Sequence, residues 1–374
     1  MDFQNAFMQQ ALALAGRAVG LSDPNPRVGC VLVSADGQRV LGEGHTQAAG
    51  AAHAEVMALR NAAARGHVVA GATAYVTLEP CSHHGRTPPC CDALLAAGVR
   101  RVVAALRDPN PLVAGRGFER LRAGGVDVVV GPGAEASQEL NIGFVSRMVR
   151  RLPWVRMKIA ASLDGRTALE NGASQWITSP EARADGHAWR ARAGVVLTGI
   201  GTVRDDNPRL DVRAVATPRQ PDAVVVDSRL EIPLDANLFQ PGRRVLLYAA
   251  VDAPQRQAAL AALGATVIRL PGPDGKVDLA AMARDLAARE INEVHVEAGH
   301  KLNGSLLRAG LVDEFLIYLA PKLLGVGRGM AQFGPLADLS QALPLEFRSS
   351  ERIGPDLRVV ARRAGRDAFA PPRP

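Results

Sequence analysis

His53-Ala54-Glu55, followed downstream by Pro80-Cys81-Ser82-His83-His84-Gly85-Arg86-Thr87-Pro88-Pro89-Cys90, decides how the first third of the chain is read. One imidazole and two thiols suit Zn2+, and three protein ligands leave a fourth corner for water. A zinc ion held there lowers the pKa of its water from about 15.7 toward about 7, so hydroxide is available at neutral pH. Glu55 fits a proton shuttle rather than a ligand: it moves protons off the attacking water, onto the ring nitrogen and then onto the departing ammonia. The competing reading is a structural zinc knuckle, or thiols that merely pack. A structural site needs a fourth protein ligand, which Cys91 or His83 offers. The carboxylate outside the ligand set favours catalysis.

Zinc deaminases carry H-x-E with a downstream P-C-x-x-C. Here eight residues separate the cysteines, Ser82 to Pro89. Ligation survives the longer loop if its ends converge, and the loop then brings His83, His84 and Arg86 near the metal.

Two domains are expected for 374 residues, since a single core rarely grows that far. Hydrophobic residues make up 47% of the chain but aromatics only 4%, so the interiors must be built from Val, Leu, Ala and Ile. The first residues lack a basic segment and no apolar run reaches bilayer length, so a cytoplasmic protein without a membrane partner is expected. Four cysteines, three of them in or beside the metal motif, make no disulfide scaffold. The net charge of +7 points to an anionic partner, either nucleic acid or a phosphorylated metabolite with a dinucleotide. The runs from Arg147 to Arg151 and at Arg362-Arg363 read as solvated faces.

In the first domain, residues 3 to 20 read as a helix. Residues 28–33 and 40–45 form a hairpin about Ala35-Asp36-Gly37. A helix starts near His53, a strand covers 73–78, and a helix opening at Pro89-Cys90 stops at Gly98. Strands at 101–106 and 126–130 follow. Both cysteine and histidine ligands thus fall at helix N-termini or on a loop, where the helix dipole favours thiolate.

Asn25-Pro26-x-Val28-Gly29-Cys30-Val31, Gly42-Glu43-Gly44-His45, His53-Ala54-Glu55 and the Glu79-to-Cys90 segment resemble the deaminase half of the bifunctional riboflavin-biosynthesis deaminase–reductases. That family uses the long cysteine spacing. The resemblance implies a cytidine-deaminase-like zinc domain over residues 1–146, with His53, Cys81 and Cys90 as ligands and Glu55 as the catalytic proton shuttle. It also implies Asn25 and His45 in the pyrimidine pocket.

Residues 147–153, basic and ending in Pro153, read as a linker. Beyond it strands near 155–161, 194–199, 223–227, 244–248, 266–270, 293–297 and 314–319 alternate with helices near 180–192, 253–263, 278–290 and 303–309. This rhythm predicts an α/β domain with a largely parallel sheet over 154–364. Residues 365–374 read as a disordered tail. Three stretches carry the chemistry: Lys158-x-x-x-Ser162-Leu163-Asp164-Gly165-Arg166, Thr198-Gly199-Ile200-Gly201-Thr202 on to Leu210, and Glu297-Ala298-Gly299-His300 on to Ser305. The last runs strand, glycine turn, helix, which suits a pyrophosphate at a helix N-terminus. Neither glycine turn is G-x-G-x-x-G.

Together and in this order the three stretches resemble the reductase half of the same family, similar in fold to dihydrofolate reductase. That resemblance implies NADPH contacts from Ala160, Trp176, Thr202, Asp206, Ser228, Gly299, His300, Lys301, Leu302, Asn303, Gly304 and Ser305. It implies substrate contacts from Ser174, Arg190, Leu210, Arg213 and Glu297, with Arg190 and Arg213 suited to clamp a ribose 5-phosphate. Zinc, NADPH and a small phosphorylated pyrimidine are then the expected cofactors and substrate, with homo-oligomerisation expected and no nucleic-acid partner. Lys158, Asp206 and Glu297 remain open as aids to proton delivery, and Arg229 as a cation for the 2′-phosphate. One rival is a tRNA or other nucleic-acid deaminase with an accessory RNA-binding domain, which scarce aromatics argue against. The other is a scaffold with a decayed zinc site, which an intact Glu55 argues against.

Overall fold

A computed structural model of the chain describes residues 3–83 and 88–369. These fall into two compact units, the first reaching Arg150 and the second spanning Arg151–Ala368.

The first unit runs α1 (Phe3–Gly16), β1 (Gly29–Val33), β2 (Val40–His45), α2 (Ala54–Ala64), β3 (Thr73–Val76), α3 (Cys90–Ala96), β4 (Arg101–Ala104), α4 (Arg116–Ala123), β5 (Asp127–Val130), α5 (Ala134–Leu140) and α6 (Ile142–Arg150). Its sheet has the order β2-β1-β3-β4-β5; β1 is antiparallel to β2 and β3, and β3, β4 and β5 are parallel. Alternation along the strands sorts the two faces. Cys30, Leu32, Ala74, Val76, Val102 and Ala104 pack under α2 and α3, while Val31, Val33, Tyr75 and Val103 pack on α1.

The α2 contact is unusually close because both sides are small. Ala54, Ala58 and Ala62 lie one turn apart on the helix, facing two glycines of β2. A Cβ on Gly42 would stand 2.3 Å from the Ala58 carbonyl oxygen, and one on Gly44 2.6 Å from the Ala58 nitrogen. Alanine at either position is therefore incompatible with this packing. The tight fit fixes where α2 begins, and so where His53 and Glu55 stand.

The second unit runs β6 (Trp154–Ser162), β7 (Arg166–Leu169), α7 (Pro180–Arg192), β8 (Val195–Gly199), α8 (Ile200–Asp206), β9 (Asp222–Val226), β10 (Val245–Ala249), α9 (Pro254–Ala262), β11 (Ala265–Arg269), α10 (Leu279–Ala288), β12 (Glu293–Val296), α11 (His300–Arg308), β13 (Glu314–Ala320), β14 (Gly327–Gly329), β15 (Leu345–Ile353) and β16 (Asp356–Arg363). The large sheet has the order β11-β10-β9-β8-β12-β6-β13-β16-β15. Its strands are parallel from β11 through β13, and β16 and β15 close one side as an antiparallel hairpin. The chain steps outward from β8 to β11, then returns to lay β12 between β8 and β6. The crevice outside the carboxyl ends of β8 and β12 is thus a topological switch point, where such sheets bind ligands.

Beneath that crevice the sheet carries a buried ionic cluster. Arg156 on β6 joins Glu293 on β12, with Nη1 2.9 Å from Oε2, and Glu314 on β13. Arg192 also pairs with Glu293 at 2.8 Å, and Arg362 with Glu314 at 2.6 Å. The Arg156 guanidinium lies over the Trp189 ring, 4.5 Å from its centroid.

Three expectations need correction. The first helix ends at Gly16, with turns in place of its expected last turn. The basic run read as a linker begins inside a helix, since Arg147 and Arg150 form the last turn of α6. Order also extends into the expected tail: Arg366 pairs with Asp313 at 2.8 Å and Asp367 with Arg362 at 3.0 Å. Residues 370–374 lie outside the described residues.

Candidate active sites

In the first unit the start of α2, the loop after β3 and the start of α3 meet. His53 is the residue before α2 and Cys90 the first residue of α3. His53 Nδ1 lies 3.6 Å from Cys81 Sγ and 3.4 Å from Cys90 Sγ, and the three ligand atoms fall within 4.8 Å of one another. For tetrahedral zinc bonded at its usual lengths, the nitrogen–sulfur edge is about 3.6 Å. Both nitrogen–sulfur edges therefore match those of a zinc site. The Cys90 backbone N–H donates to Cys81 Sγ at 3.3 Å. Hydrogen bonds from Cys90 and His53 hold Cys81 as a thiolate, with its pKa down to about 4.

Among the described residues this cluster has three members. Cys91 turns away, its Sγ 3.2 Å from the Pro80 carbonyl oxygen, and so does not complete the set. His83 is outside the cluster also; His84 and Arg86 lie outside the described residues. Glu55 is buried in the first turn of α2. Burial, then the negative Cys81, push its carboxyl up to about 7; a dication at the ligand set would pull it back down. Burial first, and the Glu55 charge second, also raise the Cys30 thiol.

His45 ends β2, its Nδ1 2.8 Å from Gln47 Nε2, and burial favours its neutral form. Asn25 sits in the turn after Ser22, whose carbonyl accepts its backbone N–H at 2.9 Å. Sequence reasoning overlooked Glu79. Its buried carboxylate accepts backbone N–H groups from Asp108 (3.1 Å), Gly115 (2.9 Å), Gly117 (2.8 Å) and Phe118 (3.4 Å). It thereby ties the loop at 106–115 and the first turn of α4 to the residue preceding Pro80-Cys81. The adjacency to Cys81 was the only signal in the sequence.

In the second unit the expected cofactor positions gather at the carboxyl edge of β9, β8, β12 and β6. A Cβ on Gly299 would lie 3.7 Å from Thr202 Oγ1, and one on Gly199 3.1 Å from Leu302, so the two glycine turns are neighbours. The N-terminus of α11 has Gly299 before it and no side-chain cap, leaving its first N–H groups for an anion. These features fit a pyrophosphate. Ala160 lies near the end of β6 and Ser228 just past β9, where its hydroxyl accepts the Val277 N–H at 3.1 Å. Asp206 closes α8, and burial, then the neighbouring Asp205, raise its carboxyl pKa. Trp176 is largely exposed under the Arg183 guanidinium, 4.5 Å from its ring centroid. Within α11, His300 and Lys301 stand at the edge. Asn303 instead donates to the Met330 carbonyl at 3.0 Å, Gly304 is pressed against Gln332, and Ser305 donates to the Lys301 carbonyl.

Glu297, one residue past β12, is held as an anion. Burial opposes this, but Arg190, then Lys158, keep its pKa well below the usual carboxylate range. Arg190 engages it with Nε on Oε1 and Nη2 on Oε2 (2.8 Å), and Nη1 reaches the Asp211 carbonyl at 2.8 Å. Lys158 Nζ is 3.9 Å from Glu297 Oε2, and burial lowers its pKa. The fork of Arg190 is thus directed at a carboxylate. Arg213 is half-exposed and pairs with Asp211 at 2.5 Å, with Arg209 3.0 Å from the same carboxylate. Leu210, buried between them, has a positive φ of 51°.

Comparison with known proteins agrees with this division. Residues 1–106 match the cytidine and deoxycytidylate deaminase zinc-binding region, and residues 153–359 match the RibD C-terminal domain. Fold and sites thus define a two-domain enzyme, a zinc-type deaminase followed by a reductase. The riboflavin biosynthesis protein RibD of Escherichia coli is 45% identical over 365 residues, 94% of this chain and 97% of that one. The Aquifex aeolicus protein of the same name is 38% identical over 97% of this chain and 99% of its own. The solved structure of Acinetobacter baumannii RibD superposes with a TM-score of 0.87 at 39% identity, covering 97% and 99% of the two chains. A Thermotoga maritima structure described as a diaminohydroxyphosphoribosylaminopyrimidine deaminase/5-amino-6-(5-phosphoribosylamino)uracil reductase gives 0.85 at 31% identity, with the same coverage. The chain belongs to the RibD family, the deaminase–reductases of riboflavin biosynthesis. The reductase match leaves no place for an accessory RNA-binding domain, so the nucleic-acid reading is set aside.

Among the described residues, no helix is long and apolar enough to cross a membrane.

Proposed function

We propose that the first unit hydrolyses the exocyclic 2-amino group of 2,5-diamino-6-ribosylamino-4(3H)-pyrimidinone 5′-phosphate. The second unit then reduces the ribosyl group of that product with NADPH, giving 5-amino-6-ribitylaminouracil 5′-phosphate. The substrates follow the two activities by which the Thermotoga relative is described. The observation that carries the reading is the meeting of His53, Cys81 and Cys90 beside a buried Glu55 that is not one of the ligands.

Zinc bound by His53, Cys81 and Cys90 supplies an activated water and a Lewis acid. Glu55 takes one proton from the attacking water and passes it to the ring nitrogen; it then takes the second from the hydroxyl now bound to carbon and gives it to the leaving amine, so that the carbonyl forms and ammonia departs neutral. Burial keeps bulk water from competing for that proton. Asn25 and His45 line the pyrimidine pocket.

The start of α11 would hold the pyrophosphate of NADPH, which would supply the hydride for C1′ of the ribosyl group. The proton that must reach the ring oxygen, or the nitrogen of a Schiff-base form, comes from Lys158 in this reading. Lys158 is buried beside Glu297, whereas Asp206 stands exposed at the end of α8. Glu297 accepts the sugar hydroxyls. Arg213, with Arg209, meets the 5-phosphate: both side chains are half-exposed beside Asp211, whereas Arg190 is largely buried against Glu297. Glu55→Gln is expected to abolish ammonia release while NADPH oxidation with pre-deaminated substrate continues. Loss of both activities with zinc and fold retained contradicts two separate sites.

A further inference from the structure

His295 is fully buried on β12, two residues before Glu297 and so on the same side of the chain. Its Nε2 lies 3.5 Å from Glu297 Oε1, a contact short of a formed hydrogen bond, and neither ring nitrogen has a hydrogen-bond partner among the described residues. The charged groups facing it are Glu297 on its own segment, Arg156 on β6 and Arg190 on α7. The neighbour on β8 is Val196, which carries no charge. Burial, then the two arginines, oppose an imidazolium, so the ring is neutral and carries a single N–H. Among the described residues the Glu297 carboxylate is the acceptor that stands nearest the ring, on the Nε2 side, and it favours the tautomer protonated there. A buried imidazole with neither nitrogen hydrogen-bonded is less stable there than an aliphatic side chain, so packing alone does not account for it.

We propose that His295 is a positioning residue of the reductase site, whose Nε2–H holds Glu297 Oε1 from the buried side of the sheet. Arg190 then bridges both carboxylate oxygens and Lys158 faces Oε2, so the three donors fix the plane in which Glu297 meets the substrate. The inference rests on the reading that Glu297 faces the ribosyl group. The present 3.5 Å is long for a hydrogen bond, and such contacts tighten when a site is filled.

The test compares full-length His295→Leu, His295→Gln and Glu297→Gln, measuring both activities on each preparation. In His295→Leu the reductase kcat/KM is expected to fall roughly tenfold or more, while KM for NADPH and ammonia release stay at wild-type values. The acid limb of the reductase pH profile should also move to higher pH, because the Glu297 anion has lost a donor. His295→Gln, which keeps an N–H at the same reach, should recover most of the rate and return the limb. A His295→Leu enzyme with wild-type kcat/KM and an unmoved limb overturns the proposal. So does a His295→Gln enzyme as slow as His295→Leu, which would make ring shape the cause. If Glu297→Gln itself keeps full reductase activity, the reading beneath the proposal fails instead.

Discussion

Replacing Glu79 by Gln tests whether a single carboxylate ties the deaminase loop to the metal segment. Oε2 accepts from Asp108 and Gly115, and Oε1 from Gly117 and Phe118. A glutamine keeps one oxygen and turns the other into an NH2 that faces two backbone donors. Hydrogen bonds to a charged group contribute about 1.5–3 kcal/mol each. Two are lost, and the two stranded N–H groups remain buried, so a loss of about 3–6 kcal/mol in the first unit is expected. This is a large share of the stability of an ordinary domain. Urea unfolding followed by ammonia release and by NADPH oxidation should show the deaminase midpoint falling well below the reductase midpoint. Hydrogen exchange should quicken at Gly115 and Gly117. Wild-type exchange at those amides, with a deaminase midpoint changed by less than about 0.5 kcal/mol, the range of an ordinary surface substitution, would refute the anchoring role.

Two further outcomes concern the second unit. Arg156→Leu strips one partner from two buried glutamates, a change that costs about 3–5 kcal/mol when the partner is the only one. Arg192 and Arg362 remain on Glu293 and Glu314, so the lower end is expected in a denaturant titration. His187 is held neutral, its pKa down to about 4 through burial, then Arg190 and Arg213, and its Nδ1 accepts the Arg213 N–H at 3.2 Å. The unfolded chain therefore binds a proton that the folded one does not between about pH 6.5 and 4. Stability of the reductase unit should fall as pH drops through that window, and His187→Asn should flatten the slope.

The zinc motif was legible because its ligands sit in short runs whose residue types have few other uses. The parallel sheet was legible too, since its strands are apolar runs such as Val195–Gly199 and Asp222–Val226 bounded by glycine and proline. The β15–β16 hairpin was not. Leu345–Ile353 is exposed along most of its length, so no alternation marks it as a strand. The small β14–β7 pair was hidden for a different reason, as Gly327–Gly329 has almost no side chains to read. Partners distant in sequence were also out of reach. The backbone N–H groups on Glu79 lie 29 to 39 residues away, and nothing in Arg190 announces that its fork is directed at Glu297, 107 residues on. His295 looked like one residue of a buried strand until its neighbours were known.

Three side chains, His53, Cys81 and Cys90, should hold one metal ion that serves only the first reaction. Metal content and both activities, measured on one preparation of wild type and of Cys90→Ser, test this most directly. Wild type should carry one zinc per chain; Cys90→Ser should lose zinc and ammonia release together while oxidising NADPH with pre-deaminated substrate at the normal rate. Cys90→Ser that keeps both its zinc and its ammonia release would contradict the account.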